Sequence, residues 1–193
     1  RLTTKLTDLS GYLIMAVATL LTVAMLVYAR SLDFSRLWTF TNFTGASGGG
    51  VWPRSESLSK VLLLGILLPA YTVTGFDAPA HTSEETVGAS RAVPRGIIHS
   101  VMVSGIFGWV MLCSLVLAIP NLQTAAQKGD QVIFWIIAEV LPRWLAIPLY
   151  VGAILAQFVC GLATVTSASR VIYAFARDGG LPWSGVLRRI SLR

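Results

Sequence analysis

The sequence predicts an all-α fold that crosses a membrane several times, and three observations predict it. Hydrophobic residues make up 54% of the 193-residue chain and charged residues only 12%, with a mean hydropathy of +0.70; soluble domains carry about a quarter charged residues. Four stretches are apolar over about the 20 residues that a spanning helix needs at 1.5 Å per residue. One of them, between Leu58 and Glu85, holds Pro69, Gly75, Asp77 and Pro79 in its interior, the punctuation of a helix that breaks at membrane depth.

The first stretch, 10–29, follows Asp8 and carries no charge from Leu9 to Ala29. The second, 58–81, contains two prolines that lack an N–H and collide with the preceding turn, and a glycine free to leave helical geometry, so the break is expected near 72–78. His99 and Cys113 are the only ionisable residues of the third, 97–119. The fourth, 145–176, meets no strong breaker after Gly161 and is expected to project beyond the bilayer until Gly179, Gly180 and Pro182 stop it. Of the connections, 31–57 holds Gly45-Ala-Ser-Gly-Gly-Gly50 and Trp52-Pro53 and reads as an irregular external loop with interfacial aromatics. Segment 81–94 is short, polar and internal, with Pro94 placed to start a helix. Segment 120–142 is external, and its apolar run Val132 to Leu141 is too short to span, so it reads as a re-entrant or surface-lying cap. Cys113 and Cys160 both fall inside spans and read as packing residues rather than a disulfide. No short apolar region with a small-residue cleavage site opens the chain. It begins at Arg1 rather than Met, which reads as a segment of something longer.

The net charge of +6 is distributed by side and is not a nucleic-acid footprint. With four spans, Arg1, Lys5, Arg91, Arg95, Arg170, Arg177, Arg188, Arg189 and Arg193 share one face, and Arg30, Arg36, Arg54, Lys60, Lys128 and Arg143 the other. The first group is larger, which predicts that its face is cytoplasmic. The C-terminal Val186-Leu-Arg-Arg-Ile-Ser-Leu-Arg193 reads as a solvated or headgroup-touching tail.

The break is where chemistry is expected. A carboxylate at bilayer depth costs about 2.5–3.5 kcal/mol on insertion scales, so Asp77 should face protein or water. Irregular backbone is tolerated there only when buried or lining a polar cavity. Released N–H and C=O groups beside such a cavity suit the binding site of a transporter.

Two motifs then resemble a known family. Gly75-Phe76-Asp77-Ala-Pro-Ala-His81-Thr-Ser-Glu84-Glu85-Thr86, followed by Pro94-Arg95-Gly96-Ile97, is similar to the sixth-helix signature of amino acid–polyamine–organocation permeases. It is most similar to the amino acid/choline transporter branch, which includes GABA and choline permeases. Ser167-Ala-Ser169-Arg170-Val-Ile-Tyr173-Ala-Phe-Ala-Arg177-Asp178-Gly-Gly-Leu-Pro182 is similar to the end of that family's eighth helix. The resemblance covers nearly the whole chain, which corresponds to helices five to eight of about twelve.

The resemblance implies a segment of two inverted five-helix repeats, with substrate held at midplane by the broken first and sixth helices. It implies secondary active transport of amino acids or related amines by alternating access, in a multi-pass protein of the plasma membrane or bacterial inner membrane. The partners implied are the amine substrate, the lipid bilayer, a coupling proton or sodium ion, and the remaining helices; no cofactor and no nucleic acid are implied. The first helix, which usually receives the substrate carboxylate, is absent, so this chain contributes the ammonium-facing side. Carbonyls of Val73, Thr74, Gly75 and Phe76 offer partial negative charge there, Tyr71 stands where relatives often carry an aromatic that closes over the ligand, and Phe76 presents a π-face to a cation. With Asp77 these are the expected substrate-binding residues. Glu84 and Glu85 are expected to form a cytoplasmic gate with Arg170 or Arg177. Some proton-coupled relatives carry a lysine in mid-helix five; here that helix is uncharged after Asp8, with Lys5 at its cytoplasmic entrance.

Each feature also has a plainer reading. Asp77 can bond the broken backbone and hold the kink, Tyr71 and Phe76 can be packing aromatics, Glu84 and Glu85 solvated loop charges, and His81 an interfacial histidine. Asp77, His81, Glu84 and Glu85 share helical spacing that would suit a membrane metalloenzyme. Against that, no His-Glu-x-x-His or repeated Glu-x-x-His occurs, so no catalytic or metal-ligating residue is assigned and the chain does not read as an enzyme. A non-transporting scaffold or sensor built on the same fold is the other alternative.

Overall fold

With neither charge nor proline from Leu9 to Ala29, nothing interrupts the first helix. In the computed structural model of the chain, α1 runs Leu2–Tyr28. The structure describes residues 2–45, 54–72 and 74–187, with the side chains of 2–8, Leu68, Thr72, Thr82, Glu84, Glu85 and Leu187 outside that description. A 3-10 turn at Phe34–Leu37 follows, then α2 at Leu58–Thr72 and an eight-residue 3-10 helix at Ala78–Glu85. α3 spans Ala89–Ala118. The short helices α4 (Leu122–Gln127) and α5 (Val132–Val140) lead into α6 (Arg143–Arg177), and α7 covers Ser184–Leu187. The described residues hold helices and connecting turns and no strand.

Among the described residues, three helices are long and apolar enough to cross a membrane: residues Leu9–Tyr28 of α1, then α3 and α6. At 1.5 Å per residue α3 and α6 are about 45 and 52 Å long. The second apolar stretch differs from a single span. Its α-helix has 15 residues, about 22 Å, less than a hydrocarbon core of about 30 Å; residues 74–81 are turn and 3-10 helix. α3 also starts earlier than Pro94, which is its sixth residue rather than its first. Gly88, in the left-handed region at φ 68°, turns the chain into the helix.

α1 packs against both α3 and α6. The buried cluster joins Ala24 and Met25 of α1, Leu115 and Ala118 of α3, Ile136 and Ile137 of α5, Leu141, and Ala146 and Leu149 of α6. The C-termini of α1 and α3 and the N-terminus of α6 therefore share one end, and α6 runs antiparallel to the other two. In lipid the contact is stabilised by close van der Waals fit and small residues rather than by exclusion of water. Gly152 shows this: a Cβ there would stand 2.8 Å from Cγ2 of Val17. Hydroxyls on these helices bond backward to their own turns, Thr22 Oγ1 to the Ala18 carbonyl and Ser114 Oγ to the Met111 carbonyl, each at 2.7 Å, and among the described residues no buried side-chain polar atom lacks a partner.

The shared end is capped. Asn121 accepts from the Thr124 N–H at 3.1 Å and starts α4. Tyr150 donates to the Phe134 carbonyl at 3.0 Å, tying α5 to α6. Arg36 donates to the carbonyl of Ile119, the C-cap of α3, and its Nε lies 3.3 Å from Asp33. A guanidinium at a helix C-terminus satisfies an orphan carbonyl and suits the negative end of the dipole. The 3-10 helix Ala78–Glu85 sits at the opposite end, packed against α3 and α6.

Candidate functional site

The interruption after α2 is built by three local preferences acting together. Pro69 cannot donate to the Gly65 carbonyl, which weakens the last turn of α2. Thr74 then bonds the Tyr71 carbonyl twice, through its N–H at 3.1 Å and its hydroxyl at 2.6 Å. Such side-chain competition favours a turn over continued helix. Gly75 follows with φ +87°, a conformation that L side chains rarely adopt. The chain closes the turn with Ala78 N–H on the Gly75 carbonyl at 3.1 Å and Ala80 N–H on the Asp77 carbonyl at 2.8 Å. Pro79, having no N–H, deprives the Phe76 carbonyl of an i+3 donor. Of the carbonyls expected to face a cation, that of Gly75 thus already accepts one bond, and that of Phe76 loses its i+3 donor to Pro79.

Tyr71, in the last turn of α2, has 77% of its surface exposed, and Phe76 is half exposed. Thr74, Gly75 and Asp77 are exposed with them, so these five residues lie in one open stretch of backbone. Val73 lies outside the described residues. Asp77 occupies the N-cap of the 3-10 helix without a side-chain bond to its backbone. Its carboxylate is instead 3.3 Å from Nε2 of His81, one turn on. The plainer role for Asp77, bonding the broken backbone, is therefore not what its side chain does. The sequence groups Asp77 and His81 by their i, i+4 spacing only as candidate metal ligands; the same spacing is the signal that pairs them with each other.

The gate residues are partly visible. The 3-10 helix that carries Glu84 and Glu85 packs on α6, but those two side chains lie outside the described residues. Arg170 is half-buried on α6. Arg177 ends that helix with Nε 3.0 Å from Asp178. Among the described residues no three His, Cys, Asp or Glu side chains converge.

A separate apolar cavity of about 440 Å³ lies toward the capped end, lined by Phe40, Phe43, Leu64, Gly65, Ile119 and Leu122 among others. None of the residues of the break line it. The break and the cavity sit at different levels of the molecule, one beside the 3-10 helix and one beneath the α4–α5 cap.

A family model described as Amino acid permease matches residues 1–193. The chain is similar to the amino-acid permease BAT1 of Arabidopsis thaliana, 34% identical over 167 residues, covering 81% of this chain and 31% of the relative. It is 33% identical over 168 residues to the BAT1 homolog of Oryza sativa subsp. japonica, with the same coverage of 81% and 31%. It is 32% identical over 151 residues to the GABA-specific permease of Saccharomyces cerevisiae, covering 74% of this chain and 26% of the relative. The chain thus spans about a third or less of the length of these relatives. No solved structure matches it.

Proposed function

The chain belongs to the amino acid permease family, within the amino acid–polyamine–organocation superfamily, and we propose that it forms part of a secondary transporter that moves amino acids or related amines by alternating access. It is a membrane protein by family and by its three apolar helices; residence in a plasma or bacterial inner membrane is part of the proposal. The observation that carries the reading is the interruption between Thr72 and Ala78, with the exposed Tyr71, Phe76 and Asp77 arranged around it. A substrate ammonium meets the Phe76 carbonyl, the Asp77 carboxylate and the faces of Tyr71 and Phe76 within a few residues. A cation over an aromatic face contributes about 0.5–2 kcal/mol, more as water is excluded. Val73, Thr74 and Gly75 supply the backbone of the same half-site, and the substrate carboxylate is received by the helices of the partner repeat.

Asp77 also serves as the site where a coupling proton or sodium ion balances charge. Its neighbour His81, with Nε2 3.3 Å from the carboxylate, holds that group in place beside the substrate amine. The 3-10 helix then acts as the inner gate, with Glu84 and Glu85 facing Arg170 and Arg177 across its contact with α6. A gate of this kind needs a bias of only about 1 kcal/mol to shift populations several-fold.

The test is uptake by the intact permease in vesicles, with a panel of amino acids, GABA, choline and polyamines under imposed proton or sodium gradients. Saturable, gradient-driven uptake that Asp77→Asn abolishes is expected. Absence of uptake for the whole panel, from protein that folds and inserts, would leave the scaffold or sensor alternative in its place.

A further inference from the structure

We infer that the outward face of α3 binds an anionic phospholipid lengthwise, its headgroup on Arg91 and Arg95 and its acyl chain along Ile98, Met102, Ile106 and Trp109. The inference needs only that the chain lies in a membrane, not that it transports. An α-helix advances 100° per residue, so these six positions fall within one sector about 80° wide. Every one of them is exposed, and the four apolar ones are each more than half exposed. His99 borders the sector on the Arg95 side and is also exposed; its Nδ1–H donates to the Arg95 carbonyl at 2.8 Å, because a carbonyl can only accept.

The opposite face of the helix is the packed one. Ser114, Leu115 and Ala118 are buried there, with Leu117 buried beyond the end of the stripe, and α1 and the 3-10 helix lie against α3. Gly96, 100° round from Arg95, meets Pro79 at 3.7 Å, so the 3-10 helix sits beside the basic stripe and does not cover it. The ion pairs among the described residues join Arg36 to Asp33, His81 to Asp77 and Arg177 to Asp178; none engages Arg91 or Arg95.

The order of the stripe is what selects the occupant. Two guanidiniums occupy the first two turns, and a run of about 16 Å of apolar surface follows from Ile98 to Trp109. Half a hydrocarbon core is about 15 Å. A charged headgroup followed by an acyl chain matches both the sign and the length, whereas a soluble anion would leave the apolar run unexplained. Guanidinium pairs with phosphate in a planar two-bond geometry, which favours a phosphodiester over a zwitterionic head whose own ammonium competes. The larger basic group of the chain, which includes Arg91 and Arg95, lies on the face assigned to the cytoplasm, where anionic lipids concentrate.

The test uses the intact protein in phosphatidylcholine vesicles that contain rising fractions of either brominated phosphatidylglycerol or brominated phosphatidylcholine. Bromine on the acyl chain quenches tryptophan by contact. The signal of Trp109 is taken as the difference between the protein and its Trp109→Phe variant. Half-maximal quenching is expected at a several-fold lower fraction of phosphatidylglycerol than of phosphatidylcholine. Replacing Arg91→Gln and Arg95→Gln together should erase most of that preference, whereas Arg91→Lys with Arg95→Lys should retain most of it. Soluble glycerol phosphate should not displace the lipid. Trp109-dependent quenching that is absent with both lipids would mean that protein covers this face, and equal quenching by the two lipids in the unaltered protein would mean that the stripe does not select charge; either overturns the inference, and neither depends on the variants folding.

Discussion

Gly75→Ala isolates the backbone at the break. A Cβ built on Gly75 meets nothing within 4 Å, so the substitution introduces no clash and its whole effect comes from φ +87°. A left-handed conformation costs an L residue about 1–2 kcal/mol, and +87° lies beyond the usual left-handed well near +57°, toward the upper end of that range. Alanine returns about 0.4–1 kcal/mol only where it can adopt the native backbone without strain, which it cannot do here. The turn should therefore shift toward helical geometry by about 1–2 kcal/mol. The Gly75 carbonyl to Ala78 bond and the Asp77–His81 contact move with it. A penalty of 1.4 kcal/mol is a factor of ten in population, so uptake by the intact permease should fall about tenfold. Gly65→Ala is the control, since its Cβ also meets nothing within 4 Å and it sits within α2 at ordinary helical angles; it should be neutral or stabilising by up to about 1 kcal/mol. Gly75→Asn should recover part of the loss because Asn tolerates the left-handed region better. Equal uptake and equal unfolding midpoints for Gly75→Ala and Gly65→Ala would refute the reasoning, because the break would then not depend on the conformation of residue 75.

Other expectations follow from the packing and the caps. Gly152→Ala drives a methyl into Val17, whose β-branched side chain cannot swing aside, and should cost about 1–3 kcal/mol in detergent unfolding; adding Val17→Ala should recover part of it, and strict additivity would argue against the contact. Arg36→Met removes a charged donor from the Ile119 carbonyl, a loss of about 1.5–3 kcal/mol, and should lower the unfolding midpoint by several degrees, with Arg36→Lys intermediate. The Ser35 hydroxyl and N–H bonds hold the Asp33 carboxyl below its ordinary value of 3.8, with Arg36 adding to them against a small opposing desolvation. Because that pKa is depressed in the folded state, its contribution is fully present above pH 3.8 and fades as pH falls through the depressed value; Asp33→Asn should flatten the acid end of a stability profile. For the gate, Glu84→Gln or Arg170→Gln should raise cytoplasmic labelling of a cysteine placed at Ala163, and a charge-swapped pair should partly restore closure; unchanged labelling in both would leave Glu84 and Glu85 as solvated loop charges.

The parts of the fold visible in the sequence are those that follow from local composition. Uninterrupted apolar runs give α1, α3 and α6, and the stop at Gly179 follows from a residue able to take φ +76°. The start of α3 was less visible, because Pro94 looks like a helix opener while the helix begins five residues earlier at Ala89. A proline six residues into a helix loses one bond near an end where bonds are already missing, so the helix tolerates it. Long-range contacts were not visible at all. Nothing local tells Arg36 that it will reach the carbonyl of Ile119, 83 residues away, or that Val17 will sit on Gly152. At the site, the residues of the half-site could be named from proline and glycine punctuation and from the resemblance to permeases. The pairing of Asp77 with His81 needed the backbone turn, because the distance between two side chains depends on whether the segment winds as 3-10 helix, α-helix or coil.

Why the chain breaks at Thr74 to Asp77 and nowhere else is a question of combination. Pro94 and Pro148 each sit inside an unbroken helix as its sixth residue, so proline alone does not interrupt these helices. After Pro69 the helix lasts only to Thr72, and what differs is downstream: Thr74 competing for the Tyr71 carbonyl, Gly75 at positive φ, and Pro79 denying a donor to Phe76. If these local terms decide the matter, Gly75→Ala combined with Pro79→Ala should let α-helix run from α2 through residue 83, while Pro148→Ala should leave the shape of α6 unchanged. Spin labels at Leu63 and Ser83 report on this directly, because 20 residues of straight α-helix span about 30 Å. The distance should move part of the way toward that value in Gly75→Ala and further in the double variant. An unmoved distance in the double variant would assign the break to tertiary packing, the hold that α3 and α6 keep on the 3-10 helix. The half-site would then be a property of the assembled bundle rather than of its own eight or so residues.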